Sequence, residues 1–495
     1  NLKVIAQALA IMAYVYPEQN PKTGHNVHNA SATAVKTAAL VGAIVGQLTM
    51  GYVGDAIGRS KAMNLTMTLT LLGCILSSVT PPYGYSAPGP SVLEAQVNGT
   101  AVYGASTIHG EFVWLTFCRF ILGVGVGGVY PLAATVAAES SSDDANRGIR
   151  VSIVFSSQGL GFLATSVIGM LILAANPSGN TLPADNPTDC AMYYKYSGVK
   201  YFNTSNYTCP KGDVCHEFSC PAGANDVNWR VLLALGALPG LLMLPFSVTE
   251  TAAIKQDSMK SSTFWEDISD REYWPKLIGT AGGWFLFDIV FYGNTLFASA
   301  VTKAIYPDSN DLMTEFTHNT VLFAIALPGY YVATALMEKL GRKNIQLLGF
   351  FMMFVLYIAL SQVLTKGANG GVGAKAGLSP GTLLFLYGLT FFFANFGPNS
   401  TTFILPSETF PQEVRTSLNG FSAAAGKAGA AIGSAMFLPL AQSIGAPNVV
   451  MICGFISLAG FIVTFFFVED RRGKAMASRG SSAYASVAGS VNTPS

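Results

Sequence analysis

The sequence has few charged residues. Only 11% of its 495 residues are Asp, Glu, Lys or Arg, against about a quarter in an average soluble protein, whereas 51% are hydrophobic. This composition is typical of a membrane protein rather than a soluble one. The formal net charge of +1 gives no electrostatic reason to expect nucleic acid or an acidic partner.

Catalytic and targeting motifs are also missing. The chain shows no recognisable nucleophile–base pair, no metal-ligand spacing and no signal-peptide cleavage site. We therefore expect a protein that is not an enzyme and that needs no metal or cofactor.

Apolar windows of about 20 residues recur along the chain, and each predicts a helix that crosses a lipid bilayer. The eleven windows are 31–54, 61–80, 111–136, 149–175, 229–249, 275–304, 318–340, 344–365, 378–405, 417–442 and 446–468. The opening stretch, NLKVIAQALAIMAYVYPEQ, resembles the second half of a further helix. Because it begins without a methionine, we expect the sequence to start inside a truncated first span.

Basic residues are divided unequally between the two sides of these spans. Sixteen Lys and Arg residues fall on one side and seven on the other. By the positive-inside rule, both termini are predicted to be cytoplasmic. Glycosylation sequons on the opposite side point to a plasma-membrane glycoprotein of a eukaryote. They begin at Asn29, Asn98, Asn203 and Asn206, in predicted loops.

Cysteines cluster in the long loop at 176–228, on the predicted outer side. They are Cys190, Cys209, Cys215 and Cys220. An even number of extracytoplasmic cysteines indicates two disulfides, for which three pairings are open. A zinc site that includes His216 is the alternative, although the ligand spacing is not that of a known zinc motif.

Two similar stretches lie six predicted spans apart. GYVGDAIGRSK (51–61) and GYYVATALMEKLGRKN (329–344) each end a helix in a Gly-Arg turn. Two parallel six-helix repeats are the architecture of the major facilitator superfamily. We therefore expect an all-α membrane protein with one bundle at 1–250, a cytoplasmic linker at 251–274, a second bundle at 275–470 and a disordered tail at 471–495.

Five motifs make the resemblance more specific. They are GDAIGRSK, FCRFILGVGVGGVYPLAATVAAE (117–139), GGWFLFDIVFYGNTLF (282–297), FFFANFGPNSTTFILPSETFPQEVR (391–415) and AAAGKAGAAIG (423–433). From the second span onward, the sequence resembles the phosphate:proton symporter family within that superfamily.

Asp288 is an acid inside a stretch otherwise suited to hydrocarbon. An ionised acid at the bilayer centre costs about 2.5–3.5 kcal/mol. An acid that gains a proton outside and loses it inside avoids this cost. The protonated acid can donate a hydrogen bond to phosphate, whereas the ionised acid repels it, so proton and anion bind with positive coupling. The alternative is a structural acid paired with a lysine.

The resemblance implies an anion site around this acid, with Trp284 and Tyr292 on the same helix face. Lys427, surrounded by small residues, is expected either to hold the anion or only to pair with Asp288. The residues implied to bind substrate are Trp284, Asp288, Tyr292, Lys427, Tyr130, Gln158 and Asn399, and Asp288 is also implied to couple protons.

One position departs from the family pattern. The family carries an acid where this chain has Val129, and a second acid in the first helix, before Asn1. Coupling could therefore use fewer protons, a relocated acid such as Glu111 or Glu139, or sodium, and a related anion could replace phosphate.

Charged residues expected at the cytoplasmic helix ends are interpreted as gates that hold the two halves together. They are Asp55, Arg59, Arg119, Glu139, Arg147, Glu338, Arg342, Glu408 and Arg415. Such charges must separate for release on the inside. Anchoring of helix ends without gating is the alternative.

The predicted function is proton-coupled import of inorganic phosphate by alternating access, by a monomer or weak homo-oligomer. A sugar or polyol:proton symporter would share the gates but normally binds its substrate through neutral amides. A receptor that senses phosphate without moving it is the other alternative.

Overall fold

The structure is a computed structural model. It describes residue 8 and residues 28–80, 110–139, 147–175, 223–242, 268–306, 312–366, 372–374, 379–411 and 414–470. Most of the first span and of the linker, the tail, the four clustered cysteines and the sequons at Asn98, Asn203 and Asn206 lie outside the described residues.

Helices make up nearly all of the described chain, as its hydropathy predicts. They are α1 (His28–Ile57), α2 (Arg59–Ser78), α3 (Gly110–Glu139), α4 (Arg147–Ala175), α5 (Gly223–Leu235), α6 (Trp274–Leu277), α7 (Gly283–Ile305), α8 (Leu312–Leu340), α9 (Arg342–Val363), α10 (Pro380–Ala394), α11 (Ser400–Thr409), α12 (Arg415–Ile444) and α13 (Ala446–Phe467). Within the described residues, eight helical segments are long and apolar enough to cross a bilayer. The protein is an integral, multi-pass membrane protein.

The described parts of the eleven predicted windows lie almost entirely on helices, and the main departures from the sequence predictions are as follows. Asn29, expected in a loop, lies in the first turn of α1 because its alanine-rich surroundings favour helix. The window at 378–405 is broken between α10 and α11 by the π-helical turn Asn395–Asn399, where Gly397 has non-helical angles and Pro398 lacks an amide hydrogen. A short antiparallel hairpin, β1 (Leu364–Lys366) and β2 (Val372–Ala374), follows α9.

The two Gly-Arg turns found in the sequence have the same geometry. Gly58 (φ 93°) and Gly341 (φ 82°) adopt left-handed backbone angles, which glycine tolerates at little cost. Each is followed by an arginine that begins the next helix and is buried, Arg59 in α2 and Arg342 in α9. We call the side of the molecule that carries Arg59, Arg342 and Arg415 the basic end.

Helices α7 and α12 pack closely because glycines of α12 face α7. A Cβ atom on Gly429 or Gly433 would overlap the carbonyl oxygen of Phe285 or Ile289. Small residues of this kind let membrane helices approach at their backbones. This approach brings the side chain of Lys427, on α12, beside α7.

Two helix pairs join the parts of the chain before and after the linker. Helix α1 packs on α12, and α4 packs on α8. The Ser152 and Thr334 hydroxyls, from α4 and α8, share a hydrogen bond of 2.6 Å. We refer to α1–α5 as the first half and to α6–α13 as the second half.

Gly433→Ala tests the close approach of α7 and α12. The added Cβ forces the helices apart, so we expect the thermal unfolding midpoint of the purified protein to fall by several degrees, in keeping with an overpacking cost of about 1–3 kcal/mol. Gly161→Ala is the matched control, since a Cβ there meets no atom within 4 Å. Equal midpoints for the two variants would contradict the packing argument.

Candidate functional site

A buried ion pair connects α7 and α12 in the second half. Nζ of Lys427 lies 2.9 Å from Oδ2 of Asp288 and 3.1 Å from the hydroxyl oxygen of Tyr292, to both of which it donates hydrogen bonds. Asp288 is 1% exposed and Lys427 is 5% exposed. Trp284, one turn before Asp288, also interacts with the carboxylate. The structure thus brings these four residues together.

Two tyrosine rings also face the Lys427 ammonium. Its nitrogen lies 4.5 Å from the ring centroid of Tyr292 and 5.1 Å from that of Tyr130. Tyr130 belongs to α3, so this cation–π contact joins the first half to the second. The ammonium is thus held by one carboxylate and by two electron-rich ring faces.

A cavity of about 410 Å³ lies beside the ion pair. Four of the seven predicted substrate-binding residues line it: Tyr130, Gln158, Tyr292 and Lys427. Trp284, Asp288 and Asn399 do not form its wall and are buried behind this layer. An anion in the cavity would therefore contact Lys427 directly. It would contact Asp288 only if the hydrogen bond between Lys427 and Asp288 were broken first.

A chain of amide and hydroxyl groups links the kinked span to the cavity wall. Asn399 donates to the hydroxyl of Tyr330 (2.7 Å) and to Oδ1 of Asn395 (2.8 Å). The Tyr330 hydroxyl in turn donates to Oε1 of Gln158 in the first half, at 3.3 Å. The π-helical turn brings both asparagines into this chain, because it interrupts the regular helix at their level.

Sequence reasoning missed Tyr330 and Asn395, although one signal for Tyr330 was present. Tyr330, Thr334 and Glu338 recur every four residues in an apolar span, so they share one face of α8. That face meets α4, where Tyr330 contacts Gln158 and Thr334 contacts Ser152. Asn395 has no comparable signal, because its role depends on the kink.

Ion pairs at the basic end brace the second half. Arg342 donates to both oxygens of Glu338, at 2.7 and 2.9 Å, and to Glu408 at 2.8 Å. All three residues belong to the second half. The sequence analysis expected such charges to join the two halves, and these described ion pairs do not. The first half contacts these ion pairs through the start of α4. A Cβ atom on Gly148 there would overlap the Arg342 guanidinium.

The remaining predicted gate residues divide into three groups. Arg415 is buried at the start of α12 and donates to the carbonyl of Phe410, and Arg59 is buried at the start of α2. The side chains of Asp55, Glu139 and Arg147 lie outside the described residues, as does that of Glu111. Arg119 was expected at a helix end, and this expectation is wrong: it lies well inside α3, in the cavity wall.

An aromatic layer, formed by Tyr130, Phe155 and Phe403, separates the cavity from the basic end. Phe155 and Phe403 stack with centroids 4.5 Å apart, and Tyr130 meets Phe403 edge to face at 6.0 Å. Phe155 lies one turn nearer the basic end than Gln158. Because Phe403 belongs to the second half and the other two to the first, the layer closes the space between the halves.

Solved structures with a similar fold include sugar symporters. The proton:xylose symporter XylE bound to 6-bromo-6-deoxy-D-glucose superposes with a TM-score of 0.65 at 17% identity, covering 96% of this chain and 94% of that one. The xylose transporter XylE from E. coli in a partially occluded inward-open conformation gives 0.61 at 17%, covering 96% and 95%. The fold is that of the major facilitator superfamily, and these likenesses concern the fold alone.

Sequence comparisons place the chain more narrowly. The family model described as Major Facilitator Superfamily matches residues 4–179, and Sugar (and other) transporter matches residues 247–477. Low affinity inorganic phosphate transporter 3 of Petunia hybrida is 30% identical over 94% of this chain and 85% of its own length. Low affinity inorganic phosphate transporter 4 of Medicago truncatula is 31% identical over 95% and 86%. The chain therefore belongs to the inorganic phosphate transporter family of the major facilitator superfamily.

A double-mutant cycle tests the energetic role of the ion pair. Removing one partner of a buried pair leaves an uncompensated charge, whereas removing both can be nearly neutral. We expect Lys427→Met and Asp288→Asn each to lower the thermal unfolding midpoint, and the double variant to recover much of the loss. Additive effects would mean that the two side chains do not stabilise each other.

Proposed function

We propose that the protein is a proton-coupled inorganic phosphate transporter that works by alternating access. The observation that carries this proposal is the position of Lys427, whose ammonium is bonded to Asp288 and also forms part of the cavity wall. A buried cation needs an anionic partner. Ionised Asp288 is one such partner, and a phosphate ion in the cavity is another.

Competition between these two partners links the proton to the anion. When Asp288 is ionised, it holds Lys427 and repels phosphate. When Asp288 binds a proton, its hold on Lys427 weakens, and the ammonium is free to contact phosphate. Each ligand therefore favours binding of the other, and this coupling is reciprocal by thermodynamic necessity.

The charge of Lys427 in the cavity wall supports an anion over a sugar. Tyr130, Gln158 and Tyr292 supply neutral hydrogen-bond donors around it, which suit either solute. A neutral sugar has no charge with which to replace Asp288 as the partner of the ammonium, whereas phosphate does. The two relatives named above are both inorganic phosphate transporters, which supports the same choice.

Two groups of side chains close the cavity on the side of the basic end, which is consistent with alternating access. The aromatic layer lies between the cavity and the basic end, and the Arg342–Glu338–Glu408 group lies at the basic end itself. We place the basic end in the cytoplasm, with both termini on that side of a eukaryotic plasma membrane. Release of phosphate inside then requires the aromatic layer to part and α4 to move away from Arg342.

Transport in reconstituted vesicles tests the proposal. With an acidic exterior, we expect the wild-type protein to accumulate labelled phosphate and to leave labelled hexoses at equilibrium. Sulfate and arsenate, run in parallel, measure selectivity among anions. Accumulation of a hexose without phosphate would overturn the proposal in favour of a sugar symporter, and phosphate binding without uptake would favour a receptor.

Asp288→Asn tests the coupling residue in the same vesicles. Asparagine resembles the protonated acid but cannot release a proton, so we expect accumulation driven by pH to disappear while exchange of internal for external phosphate continues. Glu272→Gln is the control, because it neutralises an exposed acid far from the cavity. Undiminished accumulation in Asp288→Asn would remove Asp288 from the coupling mechanism.

Val129→Asp tests whether the missing acid changes the coupling ratio. We expect the charge carried per phosphate, measured from uptake currents in pH and sodium gradients, to be higher in Val129→Asp than in wild type, because a second acid can carry a further proton. Val129→Asn has a similar shape but cannot ionise, and serves as the control. Equal ratios in the two variants would show that position 129 does not set the stoichiometry.

A further inference from the structure

The chain of amide and hydroxyl groups behind the cavity wall has a fixed direction. It begins at the backbone carbonyl of Ala326 on α8, which can only accept hydrogen bonds. Asn395 donates to this carbonyl through its Nδ2 atom, at 3.1 Å. The amide of Asn395 therefore turns its Oδ1 atom, which is an acceptor, toward Asn399.

The next two members carry this direction into the first half. Asn399 uses both hydrogens of its Nδ2 atom, one toward Oδ1 of Asn395 at 2.8 Å and one toward the hydroxyl oxygen of Tyr330 at 2.7 Å. Because the Tyr330 hydroxyl accepts from Asn399, its own hydrogen is directed to Oε1 of Gln158, 3.3 Å away. Each group thus has one orientation that satisfies its neighbours.

Gln158 receives its orientation from Tyr330. Gln158 lines the cavity, whereas Tyr330 does not form part of the wall. The amide oxygen of Gln158 is bonded to Tyr330 behind the wall, so the end left for a solute is the nitrogen, which carries two hydrogens. An amide turned the other way would present its oxygen, and the lone pairs of that oxygen would repel an anion.

Packing holds the Tyr330 ring in place. The residue is fully buried, and its ring meets that of Phe155 edge to face with the centroids 6.0 Å apart. A Cβ atom on Gly159 would overlap the same ring. Tyr292 and Asp288 lie near enough to act electrostatically on the Tyr330 hydroxyl. A rigid hydroxyl is thus held beside the proposed anion site, where it can fix the geometry of a side chain that contacts the solute.

We propose that Tyr330 and Asn395 are positioning residues of the anion site, which hold the Gln158 amide with its nitrogen toward the cavity and its oxygen away from it. Both residues act through Gln158. This inference rests on the proposed function and deepens it, because it explains how a neutral side chain favours an anion. A donor that is already oriented needs no rearrangement when the anion binds, so the affinity for phosphate depends on groups behind the wall.

Tyr330→Phe tests the proposal in phosphate uptake by reconstituted vesicles. The change removes the hydroxyl and keeps the ring, so the contact with Phe155 is retained. We expect the half-saturating phosphate concentration to rise about 5-fold, as for the loss of one hydrogen bond, while the maximal rate stays within about twofold of wild type.

Tyr387→Phe is the matched control. It also removes a buried hydroxyl that donates to a side-chain amide, Oδ1 of Asn294 at 2.8 Å, and neither residue lines the cavity. We expect it to lower the thermal unfolding midpoint without changing the half-saturating concentration. Equal half-saturating concentrations in Tyr330→Phe and Tyr387→Phe would overturn the proposal and make the chain a structural brace between α4 and α8.

A double-mutant cycle shows whether Tyr330 acts through Gln158. Gln158→Met removes the amide and keeps an unbranched side chain. In the Gln158→Met background, we expect Tyr330→Phe to leave the half-saturating concentration unchanged, because no amide remains to be oriented. A further rise as large as in the wild-type background would mean that Tyr330 affects binding by another route, and would overturn the positioning role.

Asn395→Ala tests the anchor of the chain without altering Tyr330. The variant breaks the link to the Ala326 carbonyl, so the Asn399 amide is free to turn over and the Tyr330 hydroxyl can donate to it instead of to Gln158. We expect the half-saturating concentration to rise in the same direction as in Tyr330→Phe. A value equal to that of wild type would remove Asn395 from the positioning chain.

The outcomes separate this inference from the proposed function. A wild-type protein that does not accumulate phosphate would overturn the proposed function itself. Wild-type accumulation, together with wild-type half-saturating concentrations in both Tyr330→Phe and Asn395→Ala, would leave the transporter proposal standing and overturn only the positioning role.

Discussion

The ion pair between Asp288 and Lys427 is the interaction on which the rest of the site depends. It is buried, so neither charge has water to stabilise it, and each is held chiefly by the other. The pair forms only because α7 and α12 approach at their backbones. The glycines of α12 and the small residues around Lys427 therefore serve the chemistry of the site as well as its packing.

Helix α12 also connects this pair to the contact between the halves. Two turns before Lys427, Gly420 packs against the backbone of Gln47 on α1. In the described chain, both polar side-chain atoms of Gln47 and the Asn419 amide nitrogen are buried without hydrogen-bond partners. Such unpaired groups weaken an interface, and the proposed alternating access requires a contact between the halves that is not too stable to open.

Sequence alone predicted the helices and the centre of the site because both depend on strong local signals. Apolar windows define the spans, an acid in hydrocarbon is conspicuous, and spacing by four places Trp284 and Tyr292 beside Asp288. The kink at Gly397 was not predicted, since a glycine followed by proline within an apolar run does not reveal how a neighbouring helix approaches. In the structure, Gly397 packs against Gly349 of α9, a residue 48 positions earlier in the sequence.

Arg119 shows a different limit of sequence reasoning. Its motif, FCRF, resembles a charged helix end, and one sequence does not reveal whether an arginine near the start of a span turns toward solvent or toward the cavity. Packing of α3 against α1 and α2 decides the matter by surrounding the side chain. Structural relatives of this fold include sugar symporters, so the backbone does not select the solute. Selection of the solute must therefore depend on the side chains that line the cavity rather than on the backbone.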